Sequence, residues 1–448
     1  MDDLFSTLSL GARALQANRT AAATASHNLE NASTAGYARQ RAQLGTNEAE
    51  RVGNSFVGTG VVVQGVSQAR DRFVEARLPQ LFASSSAAQA RTAALASVSA
   101  FDPQGGVDMG TTMSSFFASL RGLQTRPDDP SVRKGAVAAA DAVAAGYRRA
   151  AADVEGARAA IDQDLTAKVP QANQALAAVA DLNRRIRVAS AGGAAPNDLL
   201  DERQRAVDAA VQLTGAVVIP NDDGDIGLAL PNGKSLVNGD RAAALSTGVD
   251  VEGRVAVKVN GDDTAGGDFG GVFGGAFAAR DDDLGAVAKS LDDAANAFAN
   301  AVNAAHVTGF AKDGSSGRNL FVGTGAKDLV VNAEIKANPS LLAVSSDPAN
   351  PSSTGTLTSL LAVEGNDPVG AFADVVADFG VRANSAEAEA SASDALLQHG
   401  LGLREAASGV SVDEELVELQ RAERAFQAAS KVIQTADGML ETLLNLGP

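Results

Sequence analysis

The chain contains no cysteine and no tryptophan, and only two tyrosines and four methionines among its 448 residues. Without cysteine it forms no disulfide, runs no thiolate chemistry and holds no Cys-ligated metal. Cationic side chains are the minority: 37 Lys and Arg face 54 Asp and Glu, for a net charge of −17. No basic stripe is interleaved with aromatics. Nucleic-acid binding and attachment to an anionic membrane both need clustered Lys and Arg, so both are expected to be absent. No stretch approaches the ~20 uninterrupted apolar residues of a membrane span, so no membrane insertion is expected. The start, with Asp2 and Asp3, lacks the basic residues and apolar run of a secretory signal peptide. Export, if it occurs, is expected to use a route without a cleaved signal of that kind.

What remains is a chain with 45% apolar residues, rich in alanine and carrying 45 glycines. Alanine has the highest helix propensity and lets helices approach closely. The length suggests two to four domains. Near the start, apolar or small residues recur at alternating four- and three-residue steps: Leu4, Leu8, Gly11, Leu15, then Ala22, Ala25, Leu29 and Ala32. The same rhythm returns near the end through Ala422, Phe426, Ala429, Ile433, Ala436, Leu440 and Leu443. Such spacing keeps one face of a helix turned toward a partner helix. Neither segment would be stable alone in water. The ends therefore pair with each other or with neighbouring copies. Charge favours the first: residues 1–44 carry a net +1 and residues 410–448 a net −4, although exposed pairs add little each.

Between the ends the period changes several times. Residues 1–35 read as one helix, 38–66 as extended chain, and Asp71 to Ser99 as a helix. A turn over residues 102–106 leads into a helix with Met113, Phe116, Phe117 and Leu120. A long Ala-rich helix from Ser131 to Ala189 follows, which Pro170 should kink or split. Asn197 or Asp198 can cap the next helix, with Asp201 and Arg205 paired across one turn. Residues 215–262 read as a small β insertion, with hairpin signals at Asp223-Gly224, Asn232-Gly233 and Asn260-Gly261. Residues 263–275 read as a Gly-rich connector, and a helix returns from Ala276 to Ala305. The stretch 307–370 is rich in loops, and a helix runs from Val369 to Ala407.

Chemical motifs are sparse. His27, His306 and His399 have no partner at metal-ligand spacing, so each is expected at the surface or a helix end. The glycines from 266 to 275 match neither nucleotide-binding fingerprint and read as a flexible connector. Asn221 to Asp225 lacks the offsets of a calcium loop and reads as a hairpin turn. Asp281, Asp282 and Asp283 suit a helix N-terminus and a solvated face. We expect no catalytic residue, no metal site and no cofactor.

The segment from Ser26 to Gln40 resembles the N-terminal signature of the bacterial flagellar rod, hook and hook-associated axial proteins. Asn28, Asn31, Thr34, Gly36 and Tyr37 match it; His27 replaces a usual Asn and Ala35 a usual Pro. Further segments are similar to the hook-associated protein 1 branch of that family: Gly58 to Val61, Arg70 to Phe73, Leu182-Asn183 with Ile186, Val302 to His306 with Gly309, and the run holding Asn197, Asp198, Asp201 and Arg203. The most discriminating is Ser408, Gly409, Val410, Asp413 and Glu414 within the stretch from Ser408 to Glu415. At Arg421 to Phe426 the chain departs from the family, which often has Gln and Tyr there.

The resemblance implies a structural subunit between hook and filament, exported through the flagellar type III apparatus, with a hook or rod subunit as the alternative. It implies as partners copies of the chain itself, the hook protein, the second junction protein or flagellin side of the filament, and an export chaperone. Many relatives carry a further outer β domain after the segment matching Arg318 to Phe321, for which this chain is too short. The expected fold is mainly α with a small β insertion. Residues 1–44 and 408–448 form a coiled-coil-like terminal domain, and 45–407 an elongated helical bundle carrying the β subdomain at 215–262. The assembly seam is expected at Leu4, Leu8, Leu15, Ala22, Leu29, Phe426, Ile433, Leu440 and Leu443. If neighbours are needed to cover these seams, the purified chain is a monomer whose ends are cut first in limited proteolysis; protease-resistant ends in dilute monomer would contradict this.

Overall fold

The computed structural model describes residues 2–52, 55–102, 105–193, 195–221, 223–365 and 367–445; the side chains of 2, 3, 52, 55, 443 and 444 are not among those described. The readings at Pro103, Gln104 and Asp222, and that of Leu443 as a packing side chain, therefore lie outside the described residues. Asp2–Glu30 forms α1. Four strands follow: β1 (Gln40–Thr46), β2 (Glu50–Val52), β3 (Ser55–Val57) and β4 (Val61–Gln68). β1 and β4 make an antiparallel ribbon, and β2 and β3 a hairpin between them. Asp71 then caps α2 (Arg72–Ala96), its carboxylate accepting from the N–H groups of Phe73 and Val74. α3 covers Met109–Thr125.

The spine of the molecule is α4, 61 residues from Pro130 to Ser190. Asp129 caps it and Pro130 occupies its first turn, where a missing N–H costs nothing. Pro170, expected to kink or split this helix, does not split it. Val169 and Ala172 on either side are buried, and packing along the whole length offsets the ~3 kcal/mol an interior proline costs. α5 (Asn197–Thr214) turns back along α4.

The β insertion occupies the expected stretch and divides into two sheets. β5 (Val217–Pro220), β6 (Ile226–Ala229), β7 (Ser235–Asn238) and β8 (Arg241–Ala242) form a four-stranded antiparallel sheet. β9 (Leu245–Val249), β10 (Val255–Val259) and β11 (Asp262–Asp263) form a three-stranded one. Strands from both sheets lie against α4.

The glycine run beyond them is not a flexible connector. α6 (Gly271–Phe277) begins inside it, and a wide π turn, Ala278–Asp283, joins α6 to α7 (Leu284–His306). A Cβ at Gly275 would overlap the Ala87 carbonyl oxygen, so this glycine serves close approach of α6 to α2. The acidic triplet is likewise inside continuous helix rather than at an N-terminus. Asp283 is buried and takes a two-pronged contact from Arg91 at 2.7 and 2.9 Å, and only Asp282 stays clear of those ion pairs.

β12 (Phe321–Val322) pairs directly with β13 (Val330–Val331), so no further domain stands between them. α8 (Ala333–Ala337) and α9 (Gly355–Ala362) complete a cap of short elements. α10 (Asp367–Ser408) returns along α2 and α7, and α11 (Val412–Asn445) lies on α1.

One apolar core runs from Leu78 to Leu397. At its centre Phe116 meets Phe117, Phe298 and Phe321 edge-on, and Tyr147 meets Phe372. Burial of each such side chain contributes about 1.5–3 kcal/mol. No residue of α1 or α11 belongs to this core.

His306, expected at the surface or a helix end, stands at the end of α7 and is buried. Its Nδ1 is 2.7 Å from the Arg318 carbonyl, and its Nε2 accepts from the Ala343 N–H at 3.0 Å. This fixes a neutral ring with the proton on Nδ1. Burial, reinforced by the charge of Arg318, holds its pKa below the ordinary 6.5. The neutral ring's contribution is fully present above pH 6.5 and is lost as pH falls through the lowered folded-state value. Thermal melts across pH should therefore show the advantage of the native chain over His306→Gln shrinking below pH 6.5, and a constant difference would refute this role.

Candidate assembly interface

Five segments meet where α1 ends. α1 stops because the polar run after Glu30 bonds locally. Asn31 Nδ2 donates to the His27 carbonyl at 3.0 Å, and the Thr34 hydroxyl donates to Asn31 Oδ1 at 3.2 Å. The Tyr37 N–H then closes a turn onto the Thr34 carbonyl at 3.1 Å. Gly36 takes φ +75°, a left-handed conformation inside that turn, with Arg205 packed above it. The chain thereby reverses and enters β1 beside the last turn of α1.

Asn28 is the centre of what this reversal builds. It is 1% exposed, yet both polar atoms of its amide are satisfied twice. Oδ1 accepts from the Tyr37 hydroxyl at 2.7 Å and the Gln40 N–H at 2.9 Å. Nδ2 donates to the Gln40 carbonyl at 2.8 Å and to Glu415 Oε2 at 2.9 Å. A buried amide with all four bonds made carries no desolvation penalty for an unmet group.

From Gln40 the network reaches α5. Gln40 Nε2 donates to Asp198 at 2.8 Å, and its Oε1 accepts from Asn197 at 3.2 Å. Asn197 also donates to the Val66 carbonyl of β4 at 3.0 Å. Asp201 accepts from the Ala38 N–H at 3.3 Å and Gln68 at 2.7 Å, and pairs with Arg70. Asn197 and Asp198 were expected to cap α5 and Asp201 to pair with Arg205. Instead Pro196 stands at the cap position with no side-chain bond, and all three reach outward to the ribbon. Tertiary partners outcompete the local ones. Arg203 acts elsewhere, donating to Asn183 at 3.0 Å and the Gly224 carbonyl at 2.9 Å, which ties the first β hairpin to α4.

From Arg39 the network reaches α10 and α11. The Arg39 N–H donates to the Ser408 carbonyl at 2.8 Å. Its guanidinium contacts Glu414 at 2.8 Å and Glu415 at 2.5 Å. α10 stops at Ser408, where the Gly409 N–H turns back onto the Glu405 carbonyl at 2.8 Å. Val410 bridges to α11, whose first turn carries Asp413, Glu414 and Glu415, favourable at the positive helix end. Beneath them Arg404 joins Glu75 and Asp208, tying α10 to α2 and α5.

Burial raises the pKa values of Tyr37, Asp201 and Asp208. Neighbouring acids reinforce the shift at Tyr37; Arg70 partly counters it at Asp201, and Arg404 does so at Asp208. The tyrosine thus keeps its hydroxyl proton, which it donates in a hydrogen bond to Asn28. Among the described residues no cluster could hold a metal ion, and no described helix is long and apolar enough to cross a membrane.

Beyond this node α1 and α11 run antiparallel, Asn28 meeting Glu415 at one end and Gly11 meeting Ile433 toward the other. Their contact is the most extensive between any two helices described. The buried row on α11 has a seven-residue period: Glu415, Ala422, Ala429, Ala436. On α1 the buried residues are Gly11, Ala17, Ala25 and Asn28. Small residues thus fill the seam. Leu4, Leu8, Leu15, Ala22, Leu29, Ile433 and Leu440 flank it half-buried. Phe426, expected in the seam, is 41% exposed, whereas Ile433 and Leu440, seven and fourteen residues further on, are half-buried. Leu443's side chain lies outside the described residues.

Sequence reasoning singled out Asn28, Tyr37, Asn197, Asp198, Asp201 and Glu414, and the fold brings these six to one node. Asn31, Thr34, Gly36, Ser408, Gly409 and Val410 shape the turns leading to it; Asp413 stays exposed and Arg203 lies apart. It did not single out Arg39, Gln40, Gln68 or Glu415 as site residues. One signal was available: Glu415 stands seven residues before the seam alanine Ala422.

A helix pair outside the main core, joined to the body by polar bonds and offering apolar flanks, defines a structural subunit built to pack against others. Comparison gives the class a family. The model of the flagellar hook-associated protein FlgK helical domain matches residues 95–321, and that of the flagellar basal body rod FlgEFG protein C-terminal region matches residues 405–446. The chain is 24% identical to flagellar hook-associated protein 1 of Salmonella typhimurium, over 96% of this chain and 98% of that one. It is 24% identical to the Bacillus subtilis protein of that name, over 99% of each chain. It is 30% identical to the Escherichia coli one, over 68% of this chain and 58% of that one. The chain belongs to the FlgK family of flagellar hook-associated proteins, structural components of the flagellum and not enzymes.

Two substitutions measure the node. Gln40→Ala removes two bonds at once, one to Asn197 and one to Asp198, which keep Val66 and His27, and should cost about 1–3 kcal/mol, whereas Tyr37→Phe removes one bond and leaves Asn28 Oδ1 still bonded to the Gln40 N–H, and should cost about 0.5–1.5 kcal/mol. Denaturant unfolding that ranks them in the opposite order would contradict the network.

Proposed function

We propose that this chain is the axial subunit at the junction between flagellar hook and filament, and that its terminal helix pair is the part that assembles. The observation that carries this is the uncovered apolar surface on a pair excluded from the main core. Phe5, Leu10, Leu416, Phe426, Val432 and Met439 are exposed on α1 and α11. Two helices with alanine between them bury little area, so packing by neighbours adds much of their stability. Residues 1–44 and 408–448 act as one assembly domain, and residues 45–407, with the β subdomain at 215–262, as the body outside it. The seam flanks at Leu8, Leu15, Leu29, Ile433 and Leu440 face neighbouring copies of the chain. The hook protein lies on one side and the second junction protein or flagellin on the other. The subunit works outside the cell, leaves it through the flagellar type III apparatus without a cleaved signal, and is accompanied by an export chaperone. The name shared by its curated relatives supports this reading.

A hook or rod subunit is the second reading, favoured by the rod-protein match at residues 405–446. That match covers the terminal helix alone. The FlgK helical-domain match over residues 95–321, with the Ser408 to Glu415 and Asn197 to Arg203 segments, favours the junction.

Purified chain added to isolated hooks should make them competent for filament growth, while long homopolymers grown from the chain alone would favour a hook or rod subunit. Leu29→Asp or Leu440→Asp should abolish incorporation and leave the melting of the body unchanged, because neither residue is in the main core. Normal filament attachment in either variant would refute the role of the flanks.

A further inference from the structure

The α1–α11 seam has a weakness that its packing cannot correct. Counting by sevens from the Asn28–Glu415 contact places Ala21 opposite Ala422 and Ala14 opposite Ala429. If α11 slid by one heptad, alanine would again meet alanine along the row. Ile433, which lies over Gly11, would be replaced there by Leu440 or Phe426, both apolar. Area burial therefore barely distinguishes the observed register from its neighbours, a shift of about 10 Å at 1.5 Å per residue.

One contact in the row does distinguish them. Asn28 and Glu415 are 1% and 3% exposed and bond each other at 2.9 Å. A slip one way would set the Glu415 carboxylate against the Ala21 methyl, and a slip either way would leave Asn28 Nδ2 short of one acceptor. An unpaired buried charge is among the most costly defects in a protein interior. Asn28 is itself immobilised by Tyr37 and Gln40, so it cannot follow α11 as that helix slides, and the slip would also part Glu415 from Arg39.

We propose that the buried Asn28–Glu415 pair is the register lock of the terminal helices: it selects one axial alignment from a set that the alanine seam leaves nearly equal. The pair is a positioning device, in the way a single buried polar residue fixes alignment in a coiled coil. It holds for the single chain, whether or not the pair goes on to pack in a flagellum. Its consequence for assembly is that every copy presents its apolar flanks at the same height.

The absence of cysteine makes the test direct, because only introduced thiols can join. In the full-length chain, Ala21→Cys/Ala422→Cys reports the observed register. Ala21→Cys/Ala429→Cys and Ala14→Cys/Ala422→Cys report a slip in either direction, since a disulfide does not form across Cα separations above about 7 Å. With the lock intact, only the first pair should oxidise. Adding Asn28→Ala or Glu415→Ala should make a slipped pair oxidise to a comparable yield, and Glu415→Gln, which keeps the hydrogen bond, should restore the first pair alone. Melting of the body, which contains neither helix, confirms that each variant is folded. Slipped cross-links in the intact chain, or the observed register persisting after Asn28→Ala, would overturn the proposal. So would loss of all cross-linking in the lock variants while the body stays folded, since the residues would then be needed for pairing itself.

Discussion

The buried amide of Asn28 is the interaction on which the arrangement of the chain's ends depends. It touches α1 by covalent position, the turn through Tyr37, the ribbon through Gln40 and α11 through Glu415. Remove it and four groups lose a partner at once: the Tyr37 hydroxyl, the Gln40 N–H, the Gln40 carbonyl and the Glu415 carboxylate. The polar node around it does the work that a hydrophobic core does elsewhere in the molecule. Polar bonds are directional, so the node sets angles and register more strongly than it sets stability.

The division of labour follows from composition. The body concentrates its aromatics, Phe116, Phe117, Tyr147, Phe298 and Phe321, around α3, α4 and α7, and needs no partner to be buried. The ends carry alanine in the seam and leave leucine, valine, phenylalanine and methionine on the flanks. A chain built this way has two tiers: a body with its own apolar core, and a helix pair whose apolar flanks are exposed.

Much of this was legible in residue spacing. The helices, the hairpin turns at Gly224, Gly233 and Gly261, and the terminal seams all follow from local periodicity or backbone requirement, which are properties of a few adjacent residues. The failures share one cause. Asn197, Asp198 and Asp201 looked like a cap and an intrahelical pair, and Asp283 like a solvated acid. Gly275 looked like a flexible link. In each case a partner distant in sequence decided the outcome: Gln40, Gln68, Arg91 or Ala87.

The sequence by itself determined that the chain is mainly helical, cysteine-free, acidic and seamed at both ends, because these depend on composition and on spacing within single elements. It also held the motif residues that mark the family. Only the tertiary structure decided that those motif residues, hundreds of positions apart, form one hydrogen-bonded node, that the ends pair antiparallel within one chain, and which rows of the pair remain uncovered. The physical reason is that hydrogen-bond partners and burial are set by distances in space, and a turn such as the one at Gly36 converts a small local angle into which residues meet.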